Sequence, residues 1–255
     1  MTQMNLDQIK LQKTVDEFLT EVGIDSLNLC KDPIHFKNYS KIVIYKFNQM
    51  GYRDDEWPEN ILGNIWAVGD SFTVGLGQPV EETWSKIVEK QLDKRVINVA
   101  MNGASNSWIT RRIQFILDNF NPAAILVQWS YLHRRENSDN TLPDEDRALH
   151  FDVKLIKTKE DVTVLNQIDA QHLLDNIHSI QNKNNVKIIH SFIPKFYNND
   201  ANLALPIYKE LENNNINFFP ELKQIDFARD GFHYDILTAT RYAEWYVKKY
   251  SSDQL

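Results

Sequence analysis

Two short segments, far apart in the chain, hold residue types that can move a proton and attack a carbonyl. Gly69-Asp70-Ser71 offers a hydroxyl, and Asp230-Gly231-Phe232-His233 offers an imidazole with a carboxylate three positions before it. A serine hydroxyl is a poor nucleophile until a base removes its proton. Of the histidines (His35, His133, His150, His172, His178, His190 and His233), only His233 lies in such a compact acid-glycine-aromatic-histidine setting. One loop then presents both the base and a carboxylate able to steady its charged form and its tautomer, in the chain order serine, aspartate, histidine. Asp226 is a rival for the acid role; Asp230 is preferred because it stands nearer His233. The chemistry expected is acyl transfer through a serine ester.

Such a site needs elements that bring the segments together. Ile65 to Val68 is a short apolar run ending at Gly69-Asp70-Ser71, the pattern of a buried strand that delivers Ser71 at its C-terminal end. In open parallel sheets, ligands collect at that end. Pro79 to Leu92 then reads as a helix, with Trp84, Ile87, Val88 and Leu92 at helical spacing. Arg95 to Ala100 reads as a second strand and Met101 to Asn106 as the loop after it. At its tip, Gly103 either merely turns the chain or lets its N–H approach a substrate oxygen. Asn106, at the start of the next helix, reads as a cap before it reads as a ligand contact. Ala123 to Trp129 is a third strand, nearly all apolar as a strand covered on both faces should be. A helix over 169–181, a fourth strand over 186–192, a helix over 205–211, a short fifth strand ending at Phe219 and a last helix over 236–249 complete the pattern. Asp235 is the expected cap of that last helix. His172 and His178 read as surface residues and His190 as a hydrogen-bonded core histidine. Residues 5–22 read as an amphipathic helix stopped by Gly23, and Lys41 to Lys46 as a possible strand.

Gly69-Asp70-Ser71-Phe72-Thr73, the stretch from Asn98 to Gly103, and Asp230-x-x-His233 resemble three of the four signature blocks of the SGNH (GDSL-type) hydrolases. The likeness spans roughly residues 51–250. It implies an α/β fold of three layers, α/β/α, with a flavodoxin-like parallel sheet of about five strands in the order 2-1-3-4-5. It also implies roles: Ser71 as nucleophile and, through its N–H, oxyanion donor; Gly103 as second donor; Asp230 and His233 as acid and base. The remaining block departs. The family carries Gly-x-Asn after the third strand, its asparagine being the third oxyanion donor, whereas this chain reads Gln128-Trp129-Ser130-Tyr131-Leu132-His133-Arg134. Ser130, Gln128 or a nearby backbone N–H is the expected replacement, and Arg134 or Arg135 is a candidate to hold an anionic or sugar group. Asn48-x-x-Gly51-Tyr52-Arg53-x-Asp55-Glu56 resembles the lead-in of a bacterial and phage subset tied to surface-sugar acylation. Read alone it is a polar turn, with Arg53 the member expected to reach a site.

The 255 residues suffice for a domain with a core of its own, and 42% hydrophobic with 25% charged residues is an ordinary globular balance. Residues 1–60 read as an N-terminal extension packing on the core and 61–255 as the hydrolase-like domain, with a polar insertion at about 136–161. A net charge of -7 argues against nucleic acid as the main partner. A single cysteine, Cys30, excludes an intrachain disulfide. No signal-peptide pattern and no membrane-length apolar run is seen, so a cytoplasmic protein is expected. No His/Cys spacing suits zinc and no Gly-Lys-Ser/Thr follows the glycine-rich loop, so no metal or cofactor is expected. The expected function is hydrolysis of a small O-acyl ester, on a carbohydrate by the family resemblance. The alternatives are an O-acyltransferase acting on a sugar, or a catalytically weak module that binds a glycan or a partner. The sequence leaves the oligomeric state open.

Overall fold

The computed structural model describes residues 6–11, 19–137, 139, 144–145, 159–181, 186–197 and 200–252. In chain order the main elements are α1 (Pro33–Asn38), β1 (Ile65–Val68), α2 (Ser71–Val74), α3 (Trp84–Leu92), β2 (Val96–Asn98), α4 (Asn106–Asn119), β3 (Ala124–Trp129), α5 (Lys159–Gln181), β4 (Lys187–Phe192), α6 (Ala204–Asn213), β5 (Phe218–Phe219) and α7 (Ile236–Ser251). The strands form a parallel sheet in the order β2-β1-β3-β4-β5. From β1 the chain crosses to β2 and then returns past β1 to β3. With right-handed crossovers this reversal puts α3 and α4 on opposite faces and opens a crevice beyond the ends of β1 and β3. The result is the three-layer α/β/α arrangement, with the strand order that the family resemblance implies.

Coverage on both faces explains why β1 is apolar end to end, β3 is apolar except for Gln128, and both are wholly buried. Trp66 of β1 stacks on Phe120 at 4.9 Å between centroids, and Trp84 of α3 stacks on Tyr246 of α7 at 4.6 Å. Each of these four side chains is fully buried, contributing roughly 1.5–3 kcal/mol or more from area alone.

Several local expectations are corrected. The helix expected over 5–22 is, where described, one 3-10 turn at Leu6–Gln8, and part of it, 12–18, lies outside the described residues. Leu19 instead exchanges backbone hydrogen bonds with Tyr45, 2.9 and 2.6 Å long, so its amide is satisfied by another segment of the extension and not within a helical turn. That bridge is also all that forms at Lys41 to Lys46. The helix expected from Pro79 starts at Trp84, because Thr83 is extended (ψ 147°) after a 3-10 turn at Val80–Glu82. Ser105, not Asn106, caps α4, accepting the Trp108 N–H at 3.0 Å. Asp235 stands at the start of α7 without capping it: its carboxylate accepts from Tyr39 Oη and Lys41 Nζ, both at 2.9 Å. Asp226 does the capping, accepting the N–H groups of Leu237 at 2.6 Å and Thr238 at 3.1 Å. Most of the insertion at 136–161 lies outside the described residues.

Candidate active site

Ser71 stands where β1 gives way to α2. Asp70 shapes that turn: its side chain accepts the Phe72 N–H at 3.0 Å, and its carbonyl accepts those of Thr73 and Val74 at 3.0 and 2.9 Å. The first amides of a helix have no partner within it. With the next three taken by Asp70, the Ser71 N–H is the one that no acceptor among the described residues fills.

The loop before α7 supplies the other half. Asp230 Oδ1 accepts the N–H groups of Phe232 and His233 at 2.8 and 2.9 Å, curling the loop so that Oδ2 meets His233 Nδ1 at 2.5 Å. His233 Nε2 then lies 2.8 Å from Ser71 Oγ. An ionised carboxylate only accepts, so Nδ1 carries the proton and Nε2 is left to accept from the serine. Burial by itself would push the Asp230 carboxyl up. The His233 charge, the bond from its ring and the two loop N–H groups outweigh burial and hold it below the ordinary carboxylate range. Ser71, Asp230 and His233 are all buried, and the Phe72 ring packs against the imidazole at 4.5 Å. Half-buried Tyr131 and Phe232 flank Phe72, at 6.3 and 6.1 Å between centroids.

Gly103 has φ +79°, a conformation that suits glycine, in a turn closed by the Ala104 N–H on Met101 O at 3.1 Å. No acceptor among the described residues takes its N–H. The loop is moored to the serine turn by the Met101 N–H on Gly69 O, 3.2 Å.

The other candidates are engaged elsewhere. Ser130 Oγ donates to Asp70 Oδ2 at 2.7 Å, so its proton is not available to an oxyanion. Asn106 is spent on backbone: Oδ1 accepts the Ser130 N–H at 2.8 Å and Nδ2 faces the carbonyls of Ser130 and Tyr131. Gln128 points inward, its Oε1 accepting from Thr73, Trp84 and Tyr234 at 3.0–3.2 Å. Arg134 pairs with Asp70 at 2.6 Å, and Arg135 pairs with Asp169. His190 is a core residue, with Nδ1 accepting from Trp129 Nε1 at 3.0 Å; burial pushes its pKa down to about 3. Asp226, the rival acid, is the α7 cap described above.

Arg53 is also corrected. It is buried and donates to the carbonyls of Val74, Gly75, Ile44 and Gln78 at 2.5–3.2 Å, with its guanidinium 4.2 Å from the Tyr45 ring. Desolvation pushes its pKa down to about 10. It therefore shapes the loop after α2 from behind and does not face Ser71. Sequence reading missed its collaborators. Tyr45 Oη accepts the Gly77 N–H at 2.8 Å and donates to Asp25, and Asp25 pairs with Arg229 beside Asp230. Lys31 N donates to Asp230 O at 3.0 Å, and His35 Nε2 lies 2.9 Å from Ala228 O. The segment from Asp25 to Arg53 thus braces both the serine loop and the histidine loop. No short motif announces this, because the partners lie up to 204 positions apart.

No cluster of three or more His, Cys, Asp or Glu side chains suited to a metal ion occurs among the described residues. No helix among them is long and apolar enough to cross a membrane.

The fold and the geometry together describe a hydroxyl–imidazole–carboxylate chain at the C-terminal edge of a flavodoxin-like sheet. No family model and no curated protein sequence matches the chain. Among solved structures it is similar to a carbohydrate esterase whose active site has divergent catalytic and non-catalytic binding functions (13% identity, TM-score 0.49, 76% of this chain and 70% of that one). It is also similar to an acetyl xylan esterase from the rumen bacterium Butyrivibrio proteoclasticus (15%, 0.48, 75% and 64%). A third is a carbohydrate acetylesterase family member from Sinorhizobium meliloti (14%, 0.47, 74% and 97%).

Proposed function

We propose that this chain is a serine ester hydrolase working through an acyl-enzyme, carried by the continuous path from Ser71 Oγ through His233 to Asp230. Ser71 Oγ attacks the ester carbonyl while its proton passes to His233 Nε2. Asp230 steadies the imidazolium. The new oxyanion sits against the N–H groups of Ser71 and Gly103. Collapse of the tetrahedral intermediate breaks the C–O bond to the alcohol, which leaves with the proton from His233. Water then repeats the sequence on the acyl-enzyme, returning the acid and free Ser71.

A small O-acyl group on a carbohydrate is the substrate to test first, as the sequence resemblance implies. Residues 1–60 are read as an extension of this same domain; the bonds from Asp25, Lys31, His35, Tyr45 and Arg53 to the two site loops support that reading.

The test is labelling with a fluorophosphonate together with release of p-nitrophenol from p-nitrophenyl acetate. Both should occur in the wild type and vanish in Ser71→Ala. An unlabelled wild type, or labelling that survives Ser71→Ala, removes the proposal. Adding a sugar acceptor separates hydrolysis from transfer: a transferase would divert most of the acetyl group to the sugar instead of water.

A further inference from the structure

We infer that Arg134 is a positioning residue for the two proposed oxyanion donors. The inference rests on the acyl-enzyme reading above. Arg134 Nη1 donates to Asp70 Oδ2 at 2.6 Å, to Ser130 Oγ at 2.8 Å and to Ala104 O at 3.3 Å. Asp70 immediately precedes Ser71, and Ala104 immediately follows Gly103. A single nitrogen therefore touches the neighbours of both N–H groups that are to receive the oxyanion.

The surroundings are those of a built site. The Arg134 side chain is 10% exposed and that of Asp70 not at all. The Asp70 carboxylate spends Oδ1 on the Phe72 N–H and Oδ2 on Ser130 and Arg134, so it is bonded at both oxygens and its charge is matched. The guanidinium carbon lies 5.2 Å from the Tyr131 ring centroid. Backbone already ties the serine turn to the Gly103 loop through Met101 and Gly69. Arg134 adds a second tie that comes from the segment after β3, the segment in which the family motif is missing.

Donors to an oxyanion act only when their spacing is held at the position where charge develops. Removing the arginine leaves Asp70 a buried carboxylate without its cation and frees the Ala104 carbonyl, so the two donor loops keep the Met101–Gly69 backbone bond but lose the side-chain tie between them. A shift on the order of 1 Å costs on the order of 100-fold in rate.

The experiment compares wild type, Arg134→Met, Arg134→Lys and Ser71→Ala. Active sites are counted by fluorophosphonate titration, kcat and KM for p-nitrophenyl acetate are expressed per titrated site, and Tm is recorded. Arg134→Met should lower per-site kcat on the order of 100-fold, with KM nearly unchanged, because positioning acts on the transition state and not on ground-state binding. Arg134→Lys should recover most of that loss, since an ammonium offers three donors at one nitrogen. Wild-type per-site kcat in Arg134→Met, whatever its Tm, overturns the inference. So does a rise in KM at constant kcat, or a lysine variant as slow as the methionine variant. Should Arg134→Met not fold, Asp70→Asn carries the test: reduced per-site kcat at constant KM supports the tie, and unchanged kcat overturns it. A wild type that does not label, or a Ser71→Ala that still does, sinks the acyl-enzyme reading and this inference with it. A labelled wild type beside an unaffected Arg134→Met sinks this inference alone.

Discussion

His233 Nε2 lies 2.8 Å from Ser71 Oγ across 162 positions of sequence. The contact is set by two independent local devices: the Asp70 turn at the end of β1, and the Asp230 loop leading into α7. The sheet brings those devices to one edge.

Asp230→Asn should lower kcat on the order of 10⁴-fold. The amide can donate to Nδ1 and so favour the wrong tautomer, leaving Nε2 protonated against Ser71. Burst and steady-state kinetics with p-nitrophenyl acetate check this; activity within tenfold of wild type would show that the Asp230 bond does not govern the ring.

His190 makes the fold acid-sensitive. Its pKa is pushed down to about 3 by burial, so below pH ~6.5 the unfolded chain takes up a proton that the native ring refuses, and stability falls as pH falls. Between pH 7.5 and 5 the loss from this one group is about 2 kcal/mol. Urea unfolding at the two pH values should show a smaller loss in His190→Gln; equal losses would count against it. Asp230 adds to the acid limb at lower pH: its depressed carboxyl stabilises the fold above the ordinary value of 3.8, and that contribution is lost as pH drops further.

Asp226→Ala should cost about 1–2 kcal/mol of stability through loss of the α7 cap. Its kcat at temperatures well below Tm should stay at the wild-type value, because Asp226 bonds to Leu237 and Thr238 and not to His233. A drop in kcat without a drop in Tm would return Asp226 to contention for the acid role.

Gly77→Ala should both destabilise and slow the protein. Gly77 has φ +78°, and a Cβ there would stand 2.8 Å from Ala228 Cβ and 3.0 Å from the Arg229 nitrogen, pressing on the loop that carries Asp230 and His233. The strain costs more than about 1 kcal/mol. A thermal melt together with per-site kcat reads both effects, and an unchanged melt would show that the loop yields freely.

The sequence by itself determined the strands of the sheet, the position of Ser71 after the first of them, and the loop in which Asp230 and His233 share a turn. These are matters of nearest neighbours: continuous apolar runs for the strands, apolar spacing near 3.6 for the helices, and a carboxylate within reach of amides two and three residues on. Only the tertiary structure decided the destinations of the long polar side chains. Arg53 turns inward to four carbonyls, Ser130 and Arg134 close on Asp70, and Asp226 takes the cap that Asp235 was expected to supply. Buried polar groups take whichever partner folding leaves unpaired, and that partner belongs to another part of the chain. No window of sequence around Arg53 or Arg134 contains it.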